Sequence, residues 1–246
     1  MRTPWDITRE MFLSVSEAET LLGHVQRRAK RGSGRAGDAA KLDELILTAL
    51  LFSGLRNSEF CGLTLADAVL GDGGPAFVVR PSRGEARTVW LPAAVGTLVS
   101  RWIEEIRLGL LPAGADPSDA AGPLVVNERG RPFQRSGLYR RVVRILTAAG
   151  LGDRASVQLL RHTYGYLAYL RTGGNLLFVQ RQLGHAHAMV TSIYAQFVDE
   201  SYPVMANSVA GMIAAEPRPT RALATEPVVQ PEAEAWDGND ETQWLL

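Results

Sequence analysis

Cysteine is almost missing from this 246-residue chain: Cys61 stands alone. That excludes an internal disulfide and matches the usage of a reducing, cytoplasmic compartment. Cys61 lies on an apolar stretch, so a buried packing role is the expectation for it. Lysine is nearly absent too, with only Lys30 and Lys41, so almost all positive charge is guanidinium. No apolar run is long enough to span a bilayer. The N-terminus lacks a basic-then-apolar leader pattern, and no internal repeat is visible. The chain therefore reads as a cytoplasmic protein with no membrane partner.

The formal charge of zero conceals an asymmetry. The chain has 26 Lys and Arg against 26 Asp and Glu. From Ala215 onward there are seven acids and only two bases, Arg218 and Arg221, which leaves 24 bases against 19 acids, a net of +5, for the rest. A basic body suits a polyanionic partner, although +5 alone is weak evidence. The segment 215–246 is rich in proline and acid, with few apolar residues before Trp244, and reads as a disordered acidic tail.

Helical spacing dominates the remainder. Ser16 and Glu19 read as a capping box opening a helix that ends in a basic run to Arg31. A second helix spans about Asp38 to Phe52, with Leu42, Leu45, Ile46, Ala49 and Leu50 on one face. A third starts near Asn57 or Ser58 and runs to about Leu63, placing Arg56 at its first turn, where backbone N–H groups favour an anion. Residues 76–80 and 87–91 alternate as a β-hairpin, and 123–126 offer a short edge strand. Pro92 opens a helix to about Leu108, and 110–122 form a surface loop. Ser136 caps a helix to about Ala149. A helix from Ser156 to Arg171 carries Gln158 and Arg161 on one face, at i and i+3. Asn175 opens a short helix to Leu183, Tyr194 sits on a further helix from about Ala188, and Tyr202 to Ile213 form a last amphipathic one. The fold class expected is mainly α with a small antiparallel β-sheet (α+β), organised as a lead-in 1–12, one domain 13–214 and the tail.

Four separated residues carry chemistry: Arg56 in SGLRNSE, Arg161 in LLRHTYG, His185 in LGH and Tyr194 nine residues later. Guanidiniums clamp non-bridging phosphate oxygens and stay charged at any working pH. A histidine can donate to charge that builds in a transition state, and a tyrosine hydroxyl can attack phosphorus and carry the phosphate covalently. Each residue also has an ordinary reading. Arg56 and Glu59 could be a structural ion pair, His185 after Gly184 a helix end, Tyr194 a core residue. His162, about 100° around the helix from Arg161, is expected to face the core. Arg140, Arg141 and Arg144, on a mid-chain helix, are candidates for contact with a nucleic-acid backbone. No packing rule asks for Arg56, Arg161, His185 and Tyr194 together.

In this order and spacing these boxes, over roughly Phe12 to Ile213, resemble the catalytic domain of the tyrosine recombinase (phage integrase) family. The resemblance implies cleavage of double-stranded DNA through a 3′-phosphotyrosyl intermediate on Tyr194, with Arg56, Arg161 and His185 around the phosphate and no metal or other cofactor. It implies assembly of protomers, usually a tetramer, on DNA. The family's separate N-terminal DNA-clamping domain has no counterpart in the residues before the first box. Two positions depart from the pattern. Gln158 stands where the family usually has histidine, and Arg83, at the hairpin tip, where it has lysine. Glutamine donates hydrogen bonds but exchanges no proton near neutrality, and an arginine with a pKa above ~12 is a poor general acid. The leading expectation is a site-specific recombinase or integrase with Tyr194, Arg56, Arg161, His185, Gln158 and Arg83 in the site. The alternatives are an impaired DNA-binding relative that assists a partner recombinase, and a type IB topoisomerase-like enzyme.

Overall fold

The computed structural model describes residues 7–80, 85–187 and 189–198. The helices are α1 (Val15–Arg31), α2 (Gly34–Ser53), α3 (Asn57–Cys61), α4 (Ala93–Arg101), α5 (Leu108–Leu110), α6 (Arg135–Ala148), α7 (Val157–Arg171), α8 (Leu176–Leu183) and α9 (Met189–Ser192). A π-helical turn, Trp102–Arg107, joins α4 to α5. Three short strands, β1 (Ala68–Val69), β2 (Ala76–Val79) and β3 (Arg87–Trp90), form an antiparallel sheet in that order, with Phe77 opposite Ala68 on one side and Val89 on the other. The mainly helical architecture with a small antiparallel sheet is the one expected. The hairpin tip with Arg83, the segment Tyr202–Ile213 and the acidic tail lie outside the described residues.

The organising element is α2. The spacing of its apolar residues suggests a single buried face, yet Leu47, Leu51, Thr48 and Ser53 are buried as well. A helix apolar on all sides belongs at the centre of a fold, and α2 packs against α1, α4, α6 and α7. One of its buried residues is charged. Asp43, on the buried surface of α2, accepts from the Arg141 Nε at 2.7 Å, while Arg141 also reaches the Ala39 carbonyl and Glu128. Arg141 is only 7 % exposed. It is therefore a structural cation of the core and not, as its neighbours on the helix suggested, a candidate for contact with a polyanion.

Several boundaries shift for local reasons. The capping box of α1 is Ser14 with Glu17, not the expected Ser16 with Glu19. The choice is fixed from outside, because the Leu13 N–H donates to the Thr163 hydroxyl on α7 at 2.9 Å. Gln134, not Ser136, precedes α6. The third strand is Ala68–Val69, whereas 123–126 make only isolated bridges, Thr64 with Pro123 and Val126 with Pro132. The Trp102 indole N–H and the Arg107 guanidinium bond the carbonyls of Leu124, Pro123 and Pro117, which ties this loop to the π-turn. Most consequentially, α9 stops at Ser192, and Tyr194 lies in a turn before the 3₁₀ segment Ala195–Phe197.

The Asp43–Arg141 pair gives a direct test of the core. Removing one partner of a buried ion pair strands the other charge, at a cost of about 3–5 kcal/mol. Asp43→Ala is expected to lower the unfolding free energy by that amount in urea denaturation, and an unchanged midpoint would show that Glu128 and the Ala39 carbonyl suffice for Arg141.

Candidate active site

Arg56, Gln158, Arg161, His185 and Tyr194 all border one cleft of about 600 Å³, together with His162, Arg135 and the N-terminal residues Ile7 and Met11. A second cleft of about 830 Å³ shares Arg56 and His185 with it and adds Arg87 and Arg181. Residues far apart in sequence thus converge where α2, α7 and α8 end or cross.

Arg161 makes the junction. Only 5 % exposed, its guanidinium donates to the Gly54 carbonyl, at the C-terminal cap of α2, and to the Leu183 carbonyl, at the end of α8, the latter at 2.7 Å. Both acceptors sit at the negative ends of helix dipoles, where a cation is favoured. The first bond holds the chain just before Arg56, the second just before His185. Gly54 is obligatory here: its φ is +62°, and a Cβ would lie 2.4 Å from the Tyr164 ring. Burial, then the neighbouring Arg56, lowers the Arg161 pKa to about 10, which still leaves it charged at neutral pH. A guanidinium carries more N–H donors than these two bonds use, and the remainder border the cleft.

Arg56 is exposed but oriented. It donates to Glu59 at 2.9 Å and to the Gly184 carbonyl at 3.2 Å. Glu59 also accepts from the Arg56 backbone N–H at 2.8 Å, closing the first turn of α3. The Arg56–Glu59 ion pair is therefore real, and it positions Arg56 instead of removing it from the cleft. Sequence reasoning missed the third member, Arg87 of β3, which grips Glu59 with both guanidinium nitrogens at 2.8 and 2.9 Å. Burial alone would raise the Glu59 pKa, but the bonds from Arg87 and Arg56 prevail and hold it at about 2. A basic residue on the strand following the first arginine box was the available signal.

The two histidines of the cleft are neutral at physiological pH. His185 has its Nδ1 2.9 Å from the Thr191 hydroxyl. Burial, then Arg161 and Arg56, lowers its pKa to about 4. His162, expected to face the core in a structural role, borders the cleft instead: its Nδ1 lies 3.1 Å from the Tyr194 hydroxyl, and its Nε2 3.0 Å from the Gln158 amide nitrogen. Its pKa is also about 4, through burial and then Arg161. Tyr194 is 1 % exposed. Burial pushes its hydroxyl up to about 12, against a smaller downward pull from Arg161. Its ring lies flat against α7 at Gly165, where a Cβ would come within 2.2 Å of Cζ.

These shifts set the acid stability. A neutral buried histidine whose folded pKa is depressed contributes stability above pH 6.5 that is lost as the pH falls toward 4, because only the unfolded chain takes up the proton in that window. Glu59, depressed from 4.5 to about 2, adds a second loss between those values. The thermal midpoint is expected to fall below pH 6.5, and the double substitution His162→Asn with His185→Asn to flatten its course between pH 6.5 and 4. An equally steep fall in the double variant would place the titrating groups elsewhere.

The model of the phage integrase family matches residues 12–200. Among curated relatives, the tyrosine recombinase XerH of Helicobacter pylori is 29% identical over 157 residues, 63% of this chain and 41% of the relative. The tyrosine recombinase XerC of Halalkalibacterium halodurans is 35% identical over 142 residues, 58% of this chain and 46% of the relative. This chain thus spans about half the length of the curated relatives it matches. Among solved structures, XerH bound to a palindromic difH substrate in a post-cleavage complex superposes with a TM-score of 0.62 at 26% identity, covering 81% of this chain and 53% of that one. The Tn1549 transposon integrase with transposon right-end DNA shares the fold, with a TM-score of 0.60 at 20% identity, covering 85% of this chain and 68% of that one. Among the described residues no helix is long and apolar enough to cross a membrane. With the match running through each of the four boxes that frame the cleft, the chain belongs to the phage integrase family.

Proposed function

We propose that this protein is a site-specific DNA recombinase that cuts and rejoins strands through Tyr194. The observation that carries the reading is the convergence on one cleft of Arg56, Arg161, His185 and the Tyr194 hydroxyl. Two guanidiniums neutralise the scissile phosphate, and their hydrogen bonds to Glu59, Gly184, Gly54 and Leu183 hold them before substrate arrives. Pre-oriented donors of this kind need no reorganisation as charge builds on phosphorus. Tyr194 attacks, the 5′-oxygen leaves, and the 3′-phosphotyrosine keeps the bond energy for rejoining. His185 donates a further hydrogen bond. The partner is double-stranded DNA, on which protomers assemble as a tetramer, and no cofactor enters the reaction. Arg83 remains a proposed source of charge near the leaving oxygen.

Gln158 is the specific observation behind a second reading, an accessory DNA-binding protein with weak cleavage. It stands in the cleft but exchanges no proton.

Trapping on nicked suicide duplexes, drawn from DNA flanking the gene and from a randomised pool, separates the two. A covalent adduct is expected with the natural protein and none with Tyr194→Phe, whose DNA binding stays nearly intact. DNA binding without adduct would favour the accessory role, and relaxation of plasmid without a preferred site would favour a topoisomerase. Arg56→Ala, which removes one pre-oriented donor, is expected to slow cleavage on the order of 10²–10³-fold.

A further inference from the structure

We infer that His162 is a further catalytic residue of this cleft, the proton acceptor for the Tyr194 hydroxyl, with Gln158 as its positioning residue. The inference rests on the strand-cleaving reading above. A buried tyrosine that stays protonated at neutral pH must lose its proton as it attacks, and the arginines around it cannot accept one. His185 has its Nδ1 on Thr191. The imidazole of His162 is the basic group in contact with the reacting oxygen, at 3.1 Å.

The surroundings suit the task. Gln158 and His162 lie four residues apart on α7, as do Arg161 and Gly165, so all four share neighbouring rows of one helix surface. The Tyr194 ring rests on Gly165, which fixes its hydroxyl opposite His162. Gln158 meets the other ring nitrogen at 3.0 Å, and an amide can present either its N–H or its oxygen from such a position. With the oxygen turned inward it accepts the Nε2–H, which leaves Nδ1 bare and facing the tyrosine. Nucleophile, base and orienting group then stand in line, the arrangement that activates a hydroxyl. Burial, and then Arg161, keep the free imidazole unprotonated. A phosphodiester bound on Arg161 offsets that cation and raises the basicity of His162 when it is needed.

In the cleavage step the Tyr194 oxygen bonds phosphorus as the bond from phosphorus to the 5′-oxygen breaks. The tyrosine proton passes to Nδ1 of His162, and the resulting imidazolium donates Nε2–H to Gln158. The 5′-oxygen takes a proton from water, whose hydroxide recovers the proton from His162, so nothing is consumed. Rejoining runs the same transfers backward.

The test uses the full chain on the trapped suicide duplex in two forms, with an ordinary phosphodiester and with a 5′-bridging phosphorothiolate, whose sulfur leaves without a proton. His162→Ala is expected to lose on the order of 10²–10⁴-fold in cleavage on both, with partial recovery on adding imidazole. His162→Asn retains an oxygen for the tyrosine hydroxyl but cannot take up its proton near neutral pH, and is expected to lose as much while binding the duplex normally. Cleavage by the His162→Asn variant within about threefold of the natural rate, or full recovery of His162→Ala on the phosphorothiolate alone, would overturn the assignment. Gln158→Leu is expected to cost about tenfold and Gln158→Glu, which still accepts the Nε2–H, to restore the rate. An undiminished rate in Gln158→Leu would remove Gln158 from the scheme. No adduct from the natural protein on any duplex would instead sink the strand-cleaving reading itself.

Discussion

The structure of the cleft depends on one buried guanidinium. Arg161 is almost wholly withdrawn from water, a state that is costly for a cation without compensation. Its compensation is the carbonyls of Gly54 and Leu183, groups that helix ends leave without intrahelical partners. Each side solves the other's problem: two orphaned acceptors find a donor, and the cation finds negative dipole ends. The consequence is geometric. Gly54 and Leu183 immediately precede the segments carrying Arg56 and His185, so a single side chain on α7 sets the position of both. A lysine could not do this, because its ammonium lacks the planar fork that reaches two acceptors at once.

A second network surrounds the first. Glu59 is the hub, held ionised by two contacts from Arg87 and two from Arg56. Its single negative charge is shared among cations that outnumber it, so the cleft stays positive after internal pairing. Arg87 also brings the sheet into the site, because β3 lies against α8 and the Arg87 Nε reaches the Gln182 carbonyl at 3.3 Å. The small sheet therefore has a mechanical role, bracing the carboxylate that braces Arg56.

Chemical identity was more legible in the sequence than orientation. Arg56, Arg161, His185 and Tyr194 could be singled out because their order and spacing are improbable as packing, and the structure gathers all four. The span of α7 was readable from Ser156 as cap and the glycines after Arg171. The face of His162 was not. Its surroundings depend on Tyr194, 32 positions away, whose hydroxyl lies 3.1 Å from the imidazole, and no local pattern announces that partner. Arg141 was misread for the same kind of reason: its burial is decided by Asp43, 98 positions away. The capping box of α1 was read as Ser16 with Glu19, whereas Ser14 with Glu17 is used, beside the long-range bond from Leu13 to Thr163. In each case the missing information was a long-range partner, while the residue's own chemistry was in plain view.

Burial of the proposed nucleophile gives the site a condition for action. With its hydroxyl pushed up to about 12 and both neighbouring histidines neutral, Tyr194 stays protonated at neutral pH. Burial first, and then the arginines of the cleft, depress the histidines, and in the proposed reading those arginines are the groups that receive a phosphate. In the proposed reading, a phosphate bound on Arg161 offsets that cation and raises the basicity of His162, although burial remains the larger influence on its pKa. In that reading the groups that would handle the proton, His162 and Gln158, stand on α7, the helix whose Arg161 also holds the site together.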